Sequence, residues 1–375
     1  PYNVDMRIIA HLDMDAFFAS IEERDHPRYK NRPIVVGADP EEGKGRGVVS
    51  TANYAARKYG IHSALPISTA WKLSEEAKKK GLPAAIFVGG DHQKYSEVSE
   101  KIITAVQKYA PLVEQASVDE AYLDLSFAGS YEKAEKIARS IKAEIKKKEK
   151  LTCSIGIGPN KLIAKIAVNV RKPDGLTVVQ EKDAEQFLEP MPIRAIPGIG
   201  PKTEKIFTSR GIKIIKDLKK YSQADLQNLL GKWGPELYEK VRGIDDSPIV
   251  EEHEIKSIGE QETFSKDTLD ANFIFDRLKE LCGNVIQRFM NSDFHSFRTI
   301  GIAVRFEDFI TKTRAYTLPE SKDKTGNLFE QQTPQKLAKV LQFEAFRLLT
   351  PFLDKRENPQ HKKIRLIGVR VEKLQ

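Results

Sequence analysis

Two short acidic signatures constrain this chain more than anything else in it. Asp13 ends the apolar start of IIAHLDMDAFFASIEE, and Asp119-Glu120 sit in QASVDEAYLDLS. Each apolar run reads as a buried strand. A buried strand that ends in adjacent acids is costly, because like charges so close resist joint ionisation. A divalent cation relieves that cost. Three carboxylates can hold a pair of Mg²⁺ ions, which clamp the attacking and leaving oxygens of a phosphoryl transfer. The competing reading makes Asp13 the cap of the following helix and Asp119-Glu120 an ordinary exposed turn. The basic motifs described below weigh against it.

With 375 residues, the chain is too long for one core and long enough for about two to four domains. No run approaches the ~18 apolar residues of a membrane helix. No signal peptide is visible, and the expected location is the cytoplasm. The chain begins with Pro1 rather than Met, so a trimmed N-terminus is the expectation. Cys153 and Cys282 are the only cysteines. They are far apart, lack metal-ligand spacing and read as buried free thiols of a reducing compartment. The seven histidines form no H-x-x-H or H-E-x-x-H pattern, which argues against zinc. Net charge is +8, and residues 256–375 hold 21 Lys and Arg against 16 Asp and Glu. A basic surface of this kind suits a polyanion.

Along the chain, residues 8–12 read as a strand and DAFFASIEE as a helix with Asp15 placed to cap it. RPIVVGA is a second strand, and residues 39–47 form a polar, Gly-containing loop without a functional reading. GVVSTANYAARKYG reads as strand, turn and helix, ending at Gly60. Residues 68–80 and 92–109 are helical. Residues 112–125 form a hairpin with Asp119-Glu120 near its turn. In 131–149, Ala134, Ile137, Ala138, Ile141 and Ile145 recur at helical spacing, and the lysines opposite read as a solvated face. LTCSIGIG, NKLIAKIAVNV and GLTVV are strand, helix and strand, giving a mixed α/β sheet domain. Residues 183–245 are short helices with Gly turns, and 246–256 is a polar linker. Residues 257–375 read as strand, helix 271–289, strands near 298–306 and 309–317, helix 334–350 and strand 363–372. That β-α-β-β-α-β order predicts two helices on one face of a four-stranded sheet, with 319–333 as a loop.

Three further motifs bear on chemistry. AIPGIGPKTEKIFTSRGI has a helix-hairpin-helix pattern, whose Pro197-Gly198-Ile199-Gly200 turn bares backbone N–H groups to a DNA phosphate. Lys202 and Lys205 add charge there. The alternative is a Gly turn between packed helices. STANYAARKYG spaces Thr51, Tyr54 and Arg57 by three, so that a hydroxyl, a phenol and a guanidinium can face one triphosphate. In isolation that spacing also suits a solvated helix face. VNVRKPDGL holds Lys172 beside a proline at the mouth of the sheet.

Together these residues resemble the Y-family DNA polymerases, the low-fidelity translesion enzymes, and within them the DinB branch. The matching segments run through nearly the whole chain in the family's order: LDMDAFFASIEE, GVVSTANYAARK, SVDEAYLD, SIGIGPNKLIAKIA, KPDGL, IPGIG and IRLIGVRV. The resemblance implies an α+β multidomain, right-hand fold. Its parts are a palm (1–16 and 85–180), fingers (17–84), a helical thumb (181–245), a linker (246–256) and a βαββαβ little finger (257–375). It implies that Asp13, Asp119 and Glu120, with the Met14 carbonyl, hold two Mg²⁺ ions. Phe18 matches the steric gate against the ribose 2′-OH. Phe17, Thr51, Tyr54, Arg57 and Lys172 match contacts to the incoming dNTP, and Ser50 and Ala64 the small residues that roof the nascent base pair. Gly198, Gly200, Lys202 and Lys205 fall on the thumb's DNA contact. The implied partners are primer-template DNA and a dNTP, with the enzyme a monomer and no membrane involved. A sliding clamp is a candidate partner, although the closing GVRVEKLQ shows no clear clamp peptide. The rival functions are a two-metal nuclease and a non-catalytic DNA scaffold. The nuclease has no use for a triphosphate clamp, and the scaffold has no reason to keep all three acids.

Overall fold

The computed structural model describes residues 6–319 and 334–375. The chain divides into two compact units, Pro1–Glu252 and His253–Gln375. Among the described residues no helix is long and apolar enough to cross a membrane.

In the first unit, β1 (Ile9–Met14) runs through the middle of a five-stranded sheet. The order is β5 (Val113–Gln115), β6 (Glu120–Asp124), β1, β7 (Cys153–Gly158) and β8 (Leu176–Val178). β1 is antiparallel to both neighbours, and β7 is parallel to β8. Side chains alternate across a strand, so β1 is two-faced. Ala10, Leu12 and Met14 enter the main core with Leu123, Ile155 and Ile157, under α4 (His92–Val106) and α5 (Tyr131–Glu149). Ile9, His11 and Asp13 take the opposite face, where Ile9 and Tyr122 pack on Ala164 of α6 (Lys161–Ala167). A one-residue slip of register would drive Asp13 into the core, so the apolar pattern itself fixes the acid's side of the sheet. Gly156 lets α6 approach: a Cβ there would lie 2.2 Å from the Ala164 carbonyl oxygen.

A second, three-stranded sheet has the order β3 (Val49–Ala52), β2 (Ile34–Gly37), β4 (Ile86–Val88), with β4 parallel to β2. This sheet therefore draws on residues either side of position 85. Its companions are α1 (Phe17–Asp25), α2 (Tyr54–Arg57) and α3 (Ile67–Lys79). Asn53 caps α2 by accepting the Ala56 N–H at 3.0 Å, and the same oxygen accepts the Ile34 N–H.

Asp15 does not cap α1, contrary to the sequence expectation. The residue before that helix is Ala16, in a left-handed conformation without a side-chain cap, and Asp15 is buried elsewhere. The buried stripe of α5 is as expected, but its lysine face is not simply solvated. Lys142 and Lys146 reach Asp174 at 2.7 and 3.1 Å.

Residues 184–240 fold as α7 (Ala184–Leu188), α8 (Pro201–Thr208), α9 (Ile215–Leu218), α10 (Gln223–Leu230) and α11 (Gly234–Lys240). They close around Phe207, Ile215, Leu218, Leu226 and Leu237, together with Leu162 and Ile163 of α6. The expected linker is held at its start. Asp245 accepts the Leu162 N–H, Lys161 donates to the Pro248 carbonyl and to Glu114, and Glu114 accepts the Val250 N–H at 2.8 Å.

The second unit has the expected β-α-β-β-α-β order. It comprises β9 (Ser257–Thr268), α12 (Ala271–Met290), β10 (Phe297–Phe306), β11 (Thr311–Thr317), α13 (Pro334–Leu353) and β12 (Ile364–Leu374). The sheet order is β11-β10-β12-β9, all antiparallel. Ile300, Ile302, Val304, Ile367, Val369 and Val371 pack against the helices in one core. On the same strands, Gly259, Gly301 and Gly368 line a shallow groove of about 410 Å³ with Arg370. Most of the loop expected at 319–333 lies outside the described residues.

Candidate active site

Two of the three acids meet because two strand ends pair, and the third lies on the turn beside them. Asp13 is paired directly with Glu120 across β1 and β6, and with Ser154 across β1 and β7. Opposite residues of an antiparallel pair project to one face with Cβ atoms roughly 5 Å apart. The Met14 N–H donates to the Asp119 carbonyl at 2.9 Å, which fixes the turn carrying the third acid beside the first. Asp119 is half-buried, and its carboxylate accepts the Ser117 hydroxyl at 2.6 Å.

Lysines meet the two inner acids. Lys172 Nζ lies 2.5 Å from Asp13 Oδ2, and Lys165 Nζ lies 2.5 Å from Glu120 Oε2. Burial nonetheless raises Asp13 to about 6; Lys172 opposes the rise, and Glu120 and Asp119 add to it. Glu120 is pulled the other way, down to about 2, by His11 and by Lys165 against the effect of burial. His11 is fully buried with Nε2 3.6 Å from Glu120, and neither ring nitrogen makes a hydrogen bond. Burial lowers its own pKa. At neutral pH, Lys165 is therefore the lasting cationic partner of Glu120. Sequence reasoning passed over Lys165 and His11. Lys165 lies on the helix that Gly156 admits to this face, and His11 is two residues before Asp13 on the same face.

Thr51 lies in β3, and Tyr54 and Arg57 lie on α2. The Arg57 guanidinium sits 4.7 Å from the centre of the Tyr54 ring, and its Nε is anchored on the Ala52 carbonyl at 2.9 Å. The Tyr54 hydroxyl is buried and no hydrogen bond of good geometry reaches it. Burial raises its pKa to about 12, and the nearby carboxylates of Asp15 and Asp13 raise it too. Tyr54 is thus within the electrostatic reach of Asp13 and Asp15. Ser50 is in β3, and the Ala64 N–H donates to Val49 beside it.

Phe17 is buried in the core and Phe18 half-buried at its edge. The Phe18 ring stacks on Tyr95 at 4.3 Å and 12°, and meets His92 edge-on at 5.9 Å. Tyr95 donates its hydroxyl to the buried Glu22 at 2.8 Å. In the helical region, Gly198 has φ +98°, and Gly200 precedes α8, on which Lys202 and Lys205 are exposed.

Among the described residues no three His, Cys, Asp or Glu side chains are gathered to hold a metal ion as they stand. Asp119 is turned to Ser117, and lysines occupy the other two carboxylates. The donor set still fits a hard divalent cation, which takes carboxylate and carbonyl oxygens.

Comparison with known proteins agrees across the chain. The impB/mucB/samB family matches residues 12–169, and the C-terminal domain of the same family matches 255–375. A DNA polymerase-iota thumb domain matches 194–245. The chain is 41% identical to DNA polymerase IV 2 of Methanosarcina mazei, covering 99% of this chain and 93% of that one. It is 41% identical to a DNA polymerase IV of Streptococcus pyogenes over 85% of each chain. Among solved structures it resembles a Y-family DNA polymerase chimera of Dbh and Dpo4, with 29% identity and a TM-score of 0.81 over 98% of this chain and 99% of that one. An insertion ternary complex of Dbh DNA polymerase matches with 29% identity and a TM-score of 0.66 over 98% of this chain and 99% of that one.

Proposed function

From the premise that this chain belongs to the impB/mucB/samB family, the Y-family DNA polymerases of DinB type, we propose how its residues carry out translesion synthesis. The enzyme extends a primer 3′-OH on a DNA template by taking a nucleotide from a dNTP, at low fidelity and without a proofreading exonuclease. The observation that carries the reading is the direct pairing of Asp13 with Glu120 across β1 and β6, with the Asp119 turn bonded to Met14 and Lys172 seated on Asp13.

Asp13, Asp119 and Glu120, with the Met14 carbonyl, would hold two Mg²⁺ ions. Bound there, the ions would activate the 3′-OH and neutralise charge on the phosphates. The side chains supply the rest. Lys172, now paired with Asp13, turns to a phosphate once that carboxylate has another partner. The Tyr54 hydroxyl, buried without an acceptor, donates to the triphosphate. Arg57 and Thr51 complete the clamp, and Arg is suited to bidentate phosphate contacts. Catalysis is then positioning and charge neutralisation, with no protein nucleophile.

Phe17 and Phe18 border the sugar, with the Phe18 ring excluding a 2′-OH. Ser50 and Ala64 roof the base pair with little bulk, which suits damaged templates. Residues 1–16 and 85–180 serve as palm, 17–84 as fingers, 181–245 as thumb and 257–375 as little finger. The N–H groups at Gly198 and Gly200, with Lys202 and Lys205, bind DNA phosphates without reading sequence. The enzyme works as a monomer. Gly368–Leu374 lie within β12, an inner strand, so a sliding clamp would be engaged elsewhere.

Primer extension tests this reading. On an undamaged template, and on one with a single abasic site, Mg²⁺ and dNTPs should give slow, distributive addition that continues past the lesion. DNA shortening, or binding without extension, would contradict it.

A further inference from the structure

Asp15 follows the strand that carries Asp13 and is 3% exposed. A carboxylate so buried needs donors, and each of its oxygens has one. The Ser154 hydroxyl donates to Oδ1 at 2.9 Å, and the Asp174 backbone N–H donates to Oδ2 at 2.8 Å. The Ser154 oxygen in turn accepts the Gly175 N–H at 3.1 Å. Two successive amides of the turn after Lys172 are therefore tied to the central strands through one carboxylate and one hydroxyl. From the other side, Lys142 and Lys146 grip the Asp174 carboxylate at 2.7 and 3.1 Å. Lys172 stands two residues before this anchor, with its Nζ delivered to Asp13. Across the site, the unpartnered Tyr54 hydroxyl lies in the electrostatic reach of the same Asp15 carboxylate.

Packing alone does not call for this arrangement. An apolar residue between β1 and β7 would bury as well as Asp15 and would need no donors. The carboxylate instead holds the piece of chain that presents Lys172 to the strand that carries Asp13. We infer that Asp15 is a positioning residue for the triphosphate clamp, locking the Lys172 turn against the strand of Asp13. This rests on the reading of Lys172 and Tyr54 as triphosphate contacts.

The test is single-nucleotide incorporation by the full chain on one primer-template, for wild type, Asp15→Asn, Ser154→Ala, Lys172→Ala and the Asp15→Asn/Lys172→Ala double variant. Asn keeps the size of Asp15 but cannot accept from both donors. Asp15→Asn should raise KM for dNTP on the order of tenfold, as loss of one charge-assisted hydrogen bond does, while kcat and DNA affinity change by less than about threefold. Ser154→Ala should shift KM in the same direction by less. The double variant should be no more than about threefold worse than Lys172→Ala alone, because both changes disable one device. An unchanged KM in Asp15→Asn, or effects that multiply in the double variant, would overturn the inference and leave the clamp standing. An unchanged KM in Lys172→Ala would instead remove the clamp reading, and the role of Asp15 with it. Should Asp15→Asn fail to fold, Ser154→Ala decides: an unchanged KM there overturns the inference.

Discussion

Replacement of Phe18 by Ala should open the active site to ribonucleotides, and the structure sets the size of the effect. The Phe18 ring cannot yield to an added oxygen. It is stacked flat on Tyr95 at 4.3 Å, and His92 closes one edge. Tyr95 is itself fixed, its hydroxyl bound to Glu22, which also takes Lys94 at 2.7 Å and is nearly inaccessible to solvent. Forcing an extra atom against packing that cannot relax costs about 1–3 kcal/mol. That corresponds to a factor of roughly 5–150 between matched dNTP and rNTP. The assay is kcat/KM for each, opposite one template base. Phe18→Ala should lose most of that factor and keep most of its dNTP activity. Tyr95→Phe keeps the stack but drops the bond to Glu22, so discrimination should fall by less than in Phe18→Ala. Unchanged discrimination in Phe18→Ala would refute the gate. Equal loss in Tyr95→Phe would refute the argument that the stack holds the ring.

Two other outcomes follow from burial. Lys161 and Glu114 form an ion pair with side chains only 15% and 6% exposed, so Lys161→Ala takes the cation from a buried carboxylate that keeps the Val250 N–H and should destabilise the first unit by about 1–3 kcal/mol. Both tryptophans, Trp71 and Trp233, belong to that unit, so denaturant unfolding followed by their fluorescence reads it; a loss below about 1 kcal/mol would contradict the pairing. Cys153 and Cys282 are buried, with burial raising each thiol to about 12; neither should react with a thiol reagent at pH 8 until denaturant is added, and prompt labelling of the native protein would show the packing to be wrong.

Much of the architecture could be read from the sequence because it rests on local pattern. The alternation through Ala10, Leu12 and Met14 set the buried face of β1 and left Asp13 on the other. The five apolar positions of α5 and the β-α-β-β-α-β order of the second unit are similarly periodic. What stayed hidden depends on groups distant in sequence. Asp15 precedes a helix and so looked like a cap, yet its donors come from Ser154 and Asp174. Lys142 and Lys146 looked solvated, because nothing nearby in the chain announces Asp174 as their partner. Lys165 reaches Glu120 only because Gly156 lets α6 settle on the sheet. Residues 246–256 read as a polar linker, but Lys161 and Glu114 bind its backbone at Pro248 and Val250. β4 is three residues long and carries no alternation to betray its parallel pairing with β2.

In the proposed mechanism, Asp13, Asp119 and Glu120 act together on a pair of metal ions. Its most direct test is primer extension by Asp119→Ala and Glu120→Ala, with primer-template affinity measured on the same preparations. Loss of one metal carboxylate should cost several kcal/mol of barrier, on the order of a thousandfold or more in rate. DNA affinity should stay within about threefold of wild type. Extension near the wild-type rate by either variant would contradict the assignment.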